Sequence, residues 1–222
     1  MYAIIQNMEA QAIDGIFYIL VLIMSVILHE VAHGYAAYKL GDSTAKLKGR
    51  LTLNPIKHLD PIGSVALPLL LFLSNAPFLI GWAKPVPIDT DKIRKGKTGL
   101  RIVASAGILV NVVIAILFGL CMRYGAVFGF PPYDPSLYQP FYRITSIIVV
   151  TNLVLALFNL VPIPPLDGSK ILYSLLPVRL RHIEVFMEKW ALLFLIIFIV
   201  FIWDSITAFI PPLFTFITGI PL

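Results

Sequence analysis

Charge is scarce in this chain. Asp, Glu, Lys and Arg make up 13% of its 222 residues, about half the share usual in a soluble domain. Cysteine is nearly missing. The single Cys121 excludes an intramolecular disulfide framework and any cysteine-rich zinc module. No repeat of fixed period and no low-complexity tract is present. What fills the chain instead is apolar: 59% of the residues are hydrophobic, with 15 Phe among them. An ordinary water-soluble fold and a disordered chain are both excluded by that excess, because so much apolar surface cannot stay solvated. The length suits one membrane domain over residues 1–222.

The apolar residues fall into blocks. The first covers about Ile13 to Leu40, long enough to span a bilayer. No basic residue precedes its apolar run, so it does not read as a signal peptide. Pro61 to Trp82 is apolar but broken by Pro68, Asn75 and Pro77. Leu100 to Met122 is clean. Phe141 to Val161 carries Asn152 and Asn159 inside it. A proline-rich stretch follows, then a short helix over Ser169 to Leu176, ended by Pro177. The last block, Trp190 to Ile210, ends at Pro211-Pro212.

Basic residues orient these blocks. The net charge is +5, and fifteen of the 17 Lys and Arg lie in three connectors. That pattern marks cytoplasmic loops and not a nucleic-acid surface. All three connectors reach the cytoplasm only if Pro61 to Trp82 enters and leaves on that side, as its prolines allow where protein buries the loose backbone. The expected fold is therefore an all-α polytopic membrane protein in the cell membrane. It has four transmembrane helices and one re-entrant or fifth apolar segment, with the N-terminus outside. Leu47 to Leu53 alternates weakly, and Lys84 to Asp89 is held extended by its prolines. The two predict a small β-hairpin or sheet at the cytoplasmic membrane surface.

The chemistry sits in His29-Glu30-Val31-Ala32-His33. Residues four apart on a helix project from one face, so His29 and His33 can hold two corners of a zinc tetrahedron. Glu30 lies beside the first ligand, within reach of metal-bound water as a general base. Ionisable residues inside a bilayer are costly and usually functional. A catalytic zinc needs a third protein ligand. Asp14 and Asp204 fall near the outer ends of their spans, and His58, Asp60 and His182 lie in connectors. Asp167 follows the Pro164-Pro165 break at the cytoplasmic end of its block, which is the depth His29 reaches, so it is the expected third ligand. An N-cap on the following helix is the alternative role for Asp167.

These residues resemble the site-2 protease family of intramembrane zinc metalloproteases. The likeness rests on His29 to His33 and on Phe158-Asn159-Leu160-Val161-Pro162-Ile163-Pro164-Pro165-Leu166-Asp167-Gly168. Ala106-Gly107-Ile108-Leu109-Val110-Asn111 adds to it, with Ile108 standing where the family commonly has Pro. The resemblance implies a catalytic core over about 13–176 and a C-terminal transmembrane helix over about 190–210. It implies one zinc ion per chain on His29, His33 and Asp167. It also implies that Asn159 stabilises the tetrahedral intermediate. An interhelical hydrogen bond is the plain alternative for Asn159, as for Asn111 and Asn152. The chain reads as a compact member with room for neither a PDZ-like nor a nucleotide-sensing domain. The implied substrate is a transmembrane protein segment, cut within or near the lipid bilayer toward the cytoplasmic side, and bound extended on an exposed strand edge. A non-catalytic zinc-binding membrane protein or transporter could use the same residues, but a transporter usually shows internal repeats.

Overall fold

The structure, a computed structural model, describes residues 2–66, 70, 73–74, 83–129 and 135–222. Its longest helix, α1, runs over Tyr2–Lys39 with no proline to interrupt it. It begins well before Ile13 because residues 2–12 are rich in Ala, Met, Gln and Glu, good helix formers that need no apolar stripe. It ends where Gly41, at φ +108°, lets the Gly41 and Asp42 amides bond back to the Tyr38 and Ala37 carbonyls. That double closure satisfies the last carbonyls of the helix.

A short helix, α2 (Thr44–Leu47), leads into the connector. Two long helices, α3 (Gly96–Arg123) and α4 (Pro135–Leu160), follow. Then come α5 (Asp167–Leu175), α6 (Arg181–Lys189), α7 (Ala191–Phe201), α8 (Trp203–Thr207) and α9 (Ile210–Thr218). The centre of the bundle is α3, which packs on α1, α4, α5 and α9.

Three segments, Gly15–Lys39, Gly96–Arg123 and Gln139–Leu160, are long and apolar enough to cross a membrane. Ala191–Phe201 and Trp203–Thr218 together make a fourth, bent by 59°. The last block is therefore a bent pair of helices and not one straight span. Pro211 and Pro212 open α9 where they were expected to stop a helix, because proline fits the first turn, whose amides have no partner in any case. Pro61–Ala66 forms a single π-helical turn, and most of the expected re-entrant segment lies outside the described residues.

The expected β-hairpin is absent: no strand occurs among the described residues. The reason is visible in where the amides go. Pro85 and Pro87 have none to offer. The Lys84 amide donates to the His58 carbonyl (2.8 Å), Val86 to the Glu30 carboxylate (2.7 Å) and Asp89 to the Asp42 carboxylate (2.8 Å). The Arg50 guanidinium donates to the Lys84 carbonyl at 2.7 Å and the Pro85 carbonyl at 3.3 Å. Side chains occupy the bonds that a ladder would need. The segment stays extended, fastened to α1 at Glu30 and to Asp42 just past the end of that helix.

Packing divides by depth. Ala115, Met122, Val149, Leu153, Ile210 and Phe214 form one core between α3, α4 and α9. Ala37, Ile93 and Val103 form another at the C-terminal end of α1. Val161, Leu166 and Phe198 anchor the turn before α5 against α7, with Trp203 edge-on to Phe158 at 5.3 Å between ring centroids.

Candidate metal centre

Ser25, His29 and His33 lie on one stripe of α1, four residues apart. The stripe faces the bundle, and His29 and His33 are only 6% and 5% exposed. Opposite them α5 begins. The turn over 161–166 ends at Leu166, so Asp167 is the first residue of the helix and not its cap. Its carboxylate points at the histidines.

Three ligand atoms converge there. Asp167 Oδ2 is 2.9 Å from His29 Nε2 and 2.9 Å from His33 Nε2, and the two ring nitrogens are 3.0 Å apart. The remaining ring nitrogens are already committed. His33 Nδ1 meets the Val103 carbonyl at 2.7 Å, and His29 Nδ1 meets Asn111 Oδ1 at 3.3 Å. A carbonyl oxygen only accepts, so each Nδ1 carries the proton. In the neutral rings both Nε2 atoms then present lone pairs, toward each other and toward a carboxylate. Such a triangle is repulsive unless a cation sits at its apex. Tetrahedral zinc ligands, bound at about 2.0–2.2 Å, lie about 3–3.5 Å from one another. The triangle is close to that size, and its donor set of two imidazoles and one carboxylate suits zinc with an open position. Ring nitrogens tied to carbonyl oxygens are the usual support for metal-binding histidines.

Gly107 makes the close approach possible. A Cβ placed there would lie 2.5 Å from His33 Nε2 and 2.6 Å from His29 Nε2. A side chain at this position on α3 would fill the space beside the ligand atoms. Lys170, one turn along α5, donates to Asp167 Oδ1 at 2.9 Å. That leaves Oδ2 alone to face the histidines.

A cleft of about 600 Å³ opens onto this triangle. Glu30, His33 and Asp167 stand in its wall with Pro85, Val86 and Tyr173. The Glu30 carboxylate is held by the Val86 amide through Oε2, which leaves Oε1 directed by that anchor. Asn159 is placed differently. It is half-buried on α4, its amide turned back to the Leu155 carbonyl at 3.0 Å, and it is not among the residues lining the cleft. His58 is buried and bonds the Thr52 carbonyl at 2.8 Å, a structural role. Among the described residues His29, His33 and Asp167 are the group of His, Cys, Asp or Glu side chains able to share one ion.

Sequence reasoning brought out the triangle and Glu30 but not their supports. Val103 acts through its backbone, which leaves no mark in a sequence. Asn111 stood as an amide of open role. The available signal was its spacing, eight residues after Val103 and four after Gly107, on one face of α3.

Residues 132–202 match Peptidase family M50. The chain is 39% identical over 187 residues to "Putative zinc metalloprotease YwhC" of Bacillus subtilis, covering 82% of this chain and 80% of that protein. It is 29% identical over 191 residues to "Putative zinc metalloprotease Rip2" of Mycolicibacterium smegmatis, covering 84% and 68%. The protein of the same name in Mycobacterium tuberculosis is 27% identical over 194 residues, covering 86% and 70%. No solved structure matches.

Proposed function

The chain belongs to peptidase family M50, the site-2 protease family of zinc metalloproteases, and from that premise we propose that it is an intramembrane endopeptidase whose single zinc is held by His29, His33 and Asp167. The observation that carries the proposal is the convergence of three ligand atoms, 2.9 to 3.0 Å apart. Bound zinc supplies Lewis acidity toward the scissile carbonyl and brings the pKa of water near 7.

The residues around the zinc position do the rest. Glu30 takes the proton of the attacking water and passes it to the leaving amine. The Val86 amide fixes one carboxylate oxygen of Glu30, so the other is presented to the cleft. Lys170 keeps Asp167 from turning its second oxygen inward. Asn159 serves the developing oxyanion in this reading, once its amide leaves the Leu155 carbonyl.

The substrate is a transmembrane segment, locally unwound. In a helix the peptide bond is shielded by its own hydrogen bonds, and the extended segment at Pro85 and Val86 lines the cleft where an unwound backbone would lie. The active site faces the cytoplasmic side in this reading, which the basic residues Lys97, Lys170 and Arg181 in the cleft wall support. Glu30→Gln tests the mechanism. Cleavage of a transmembrane substrate falls to background while bound zinc stays at the wild-type level. Wild-type rates in that variant contradict the role of Glu30.

A further inference from the structure

Another cavity lies on the flank of the bundle and shares no lining residue with the cleft at the metal centre. It is an apolar groove of about 430 Å³ between α3, α4 and α9. Its floor is one face of α3, where Ile108, Val112, Ile116, Leu120 and Arg123 follow one another at helical spacing. Leu160 of α4 and Phe216 of α9 stand in its walls and are 56% and 80% exposed, so the groove opens sideways toward lipid.

The groove has a polar end. With 28 residues, α3 is about 42 Å long, against a hydrocarbon core about 30 Å thick. Its ends therefore reach the headgroup regions. Arg123 is its last residue and is exposed. Among the described residues lining the groove, Arg123 alone is charged. Its guanidinium donates to the Phe216 carbonyl at 3.1 Å. That bond by itself would make Arg123 a cap for α9. A guanidinium carries five N–H donors, however, and a cap needs no apolar groove beneath it.

Width and length decide what fits. From Ile108 to Arg123 is about 22 Å along α3. Spread over that length, the groove has a section of about 20 Å², that of one extended hydrocarbon chain. A helix with its side chains is about 10–12 Å across and does not enter. An acyl chain hung from a headgroup reaches about 15 Å, half the hydrocarbon core. Measured from Arg123, that depth ends near Val112.

We propose that one phospholipid is held here, with its phosphate on Arg123 and one acyl chain along Ile116 and Val112. Arginine suits that headgroup, because its planar fork meets two phosphate oxygens at once. The acyl chain supplies the packing partners that the groove lining lacks. The lipid then bridges α3, α4 and α9, and ties the end of the bent helix pair to the bundle.

The test uses the full chain in detergent, stripped of lipid. It is then given dioleoyl phosphatidylglycerol, or dioleoylglycerol, which has the same chains and no phosphate. Bound lipid per chain is read by native mass spectrometry. Wild type holds one phosphatidylglycerol about tenfold or more tightly than dioleoylglycerol, and Arg123→Gln brings the two within about threefold. Ile116→Trp fills the groove and abolishes binding. Leu109→Trp puts the same bulk on an exposed part of α3 outside the groove and keeps it. If Ile116→Trp does not fold, Leu160→Trp takes its place. Equal binding in wild type and the groove-filling variant overturns the proposal and leaves only the lipid shell of any membrane protein. A preference for phosphatidylglycerol that survives Arg123→Gln overturns the phosphate site. A groove-filling variant that still holds the lipid but no longer cleaves a transmembrane substrate gives the groove to the substrate, and overturns the proposal too. Lipid binding is read without zinc, so its failure leaves the metal reading standing.

Discussion

The same long helices build two unlike regions. In one half of the bundle α3, α4 and α9 meet through Ala115, Met122, Val149, Leu153, Ile210 and Phe214, an apolar seam. In the other, α1, α3 and α5 meet through His29, His33, Asn111 and Asp167, held by directed bonds. Apolar packing tolerates substitutions that keep volume. A polar centre in a dry interior does not, because each lost partner strands another group. The difference separates stability from metal binding: the first region should set how firmly the protein is folded, the second what it can bind.

Gly107→Ala should break the polar region most severely. In an exposed helix this change gains roughly 1 kcal/mol of helix propensity. Here the new methyl collides with both ligand nitrogens. Zinc affinity should drop at least tenfold with the helix content unchanged, read by chelator competition beside circular dichroism. Phe214→Ala probes the opposite region. Phe214 is fully buried, and its removal should cost about 3 kcal/mol of stability while zinc affinity stays within twofold. A large loss of zinc in that variant would show the two regions to be coupled.

Asp42 marks the border between them and gives the smallest effect. It is buried at the end of α1, where its carboxylate accepts from the Thr44 amide at 2.9 Å and the Asp89 amide at 2.8 Å. Burial pushes its pKa up, but the hydrogen bonds from Thr44 and Asp89 outweigh it, and the carboxyl is held below its ordinary value. A depressed carboxylate stabilises the fold above the usual range near 3.9, and that contribution is lost as pH falls through the folded value. Asp42→Asn should therefore lower stability by about 1 kcal/mol at pH 7. The gap from wild type should close in melts taken below pH 4.

How much of this was legible follows from the solvent. A bilayer forces apolar runs on spanning helices and makes every ionisable residue inside them conspicuous. The spans around α1, α3 and α4 could thus be read, and His29, Glu30, His33 and Asp167 stood out as candidates, three of which the structure brings together. Outside the bilayer the same logic fails. The segments at 47–53 and 84–89 have the pattern of a hairpin, but Arg50, Glu30 and Asp42 capture the bonds that would pair them. The break at Ile202 carries no proline or glycine to announce it, and Pro211-Pro212 can stop one helix or open the next, so the pair alone does not say which. Asn111 and Asn152 were visible as polar residues, but only coordinates show which partners they meet. For Asn159, too, only coordinates show the bond its amide makes, to the Leu155 carbonyl of its own helix.

Metal content tests the central claim most directly. The protein is purified in detergent, and bound metal is quantified in wild type, His33→Ala and Asp167→Ala. The account predicts about one zinc per chain in wild type and its loss in both variants, with all three proteins folded. Full zinc in Asp167→Ala would contradict it, because the triangle that joins α5 to α1 would then not be the metal site.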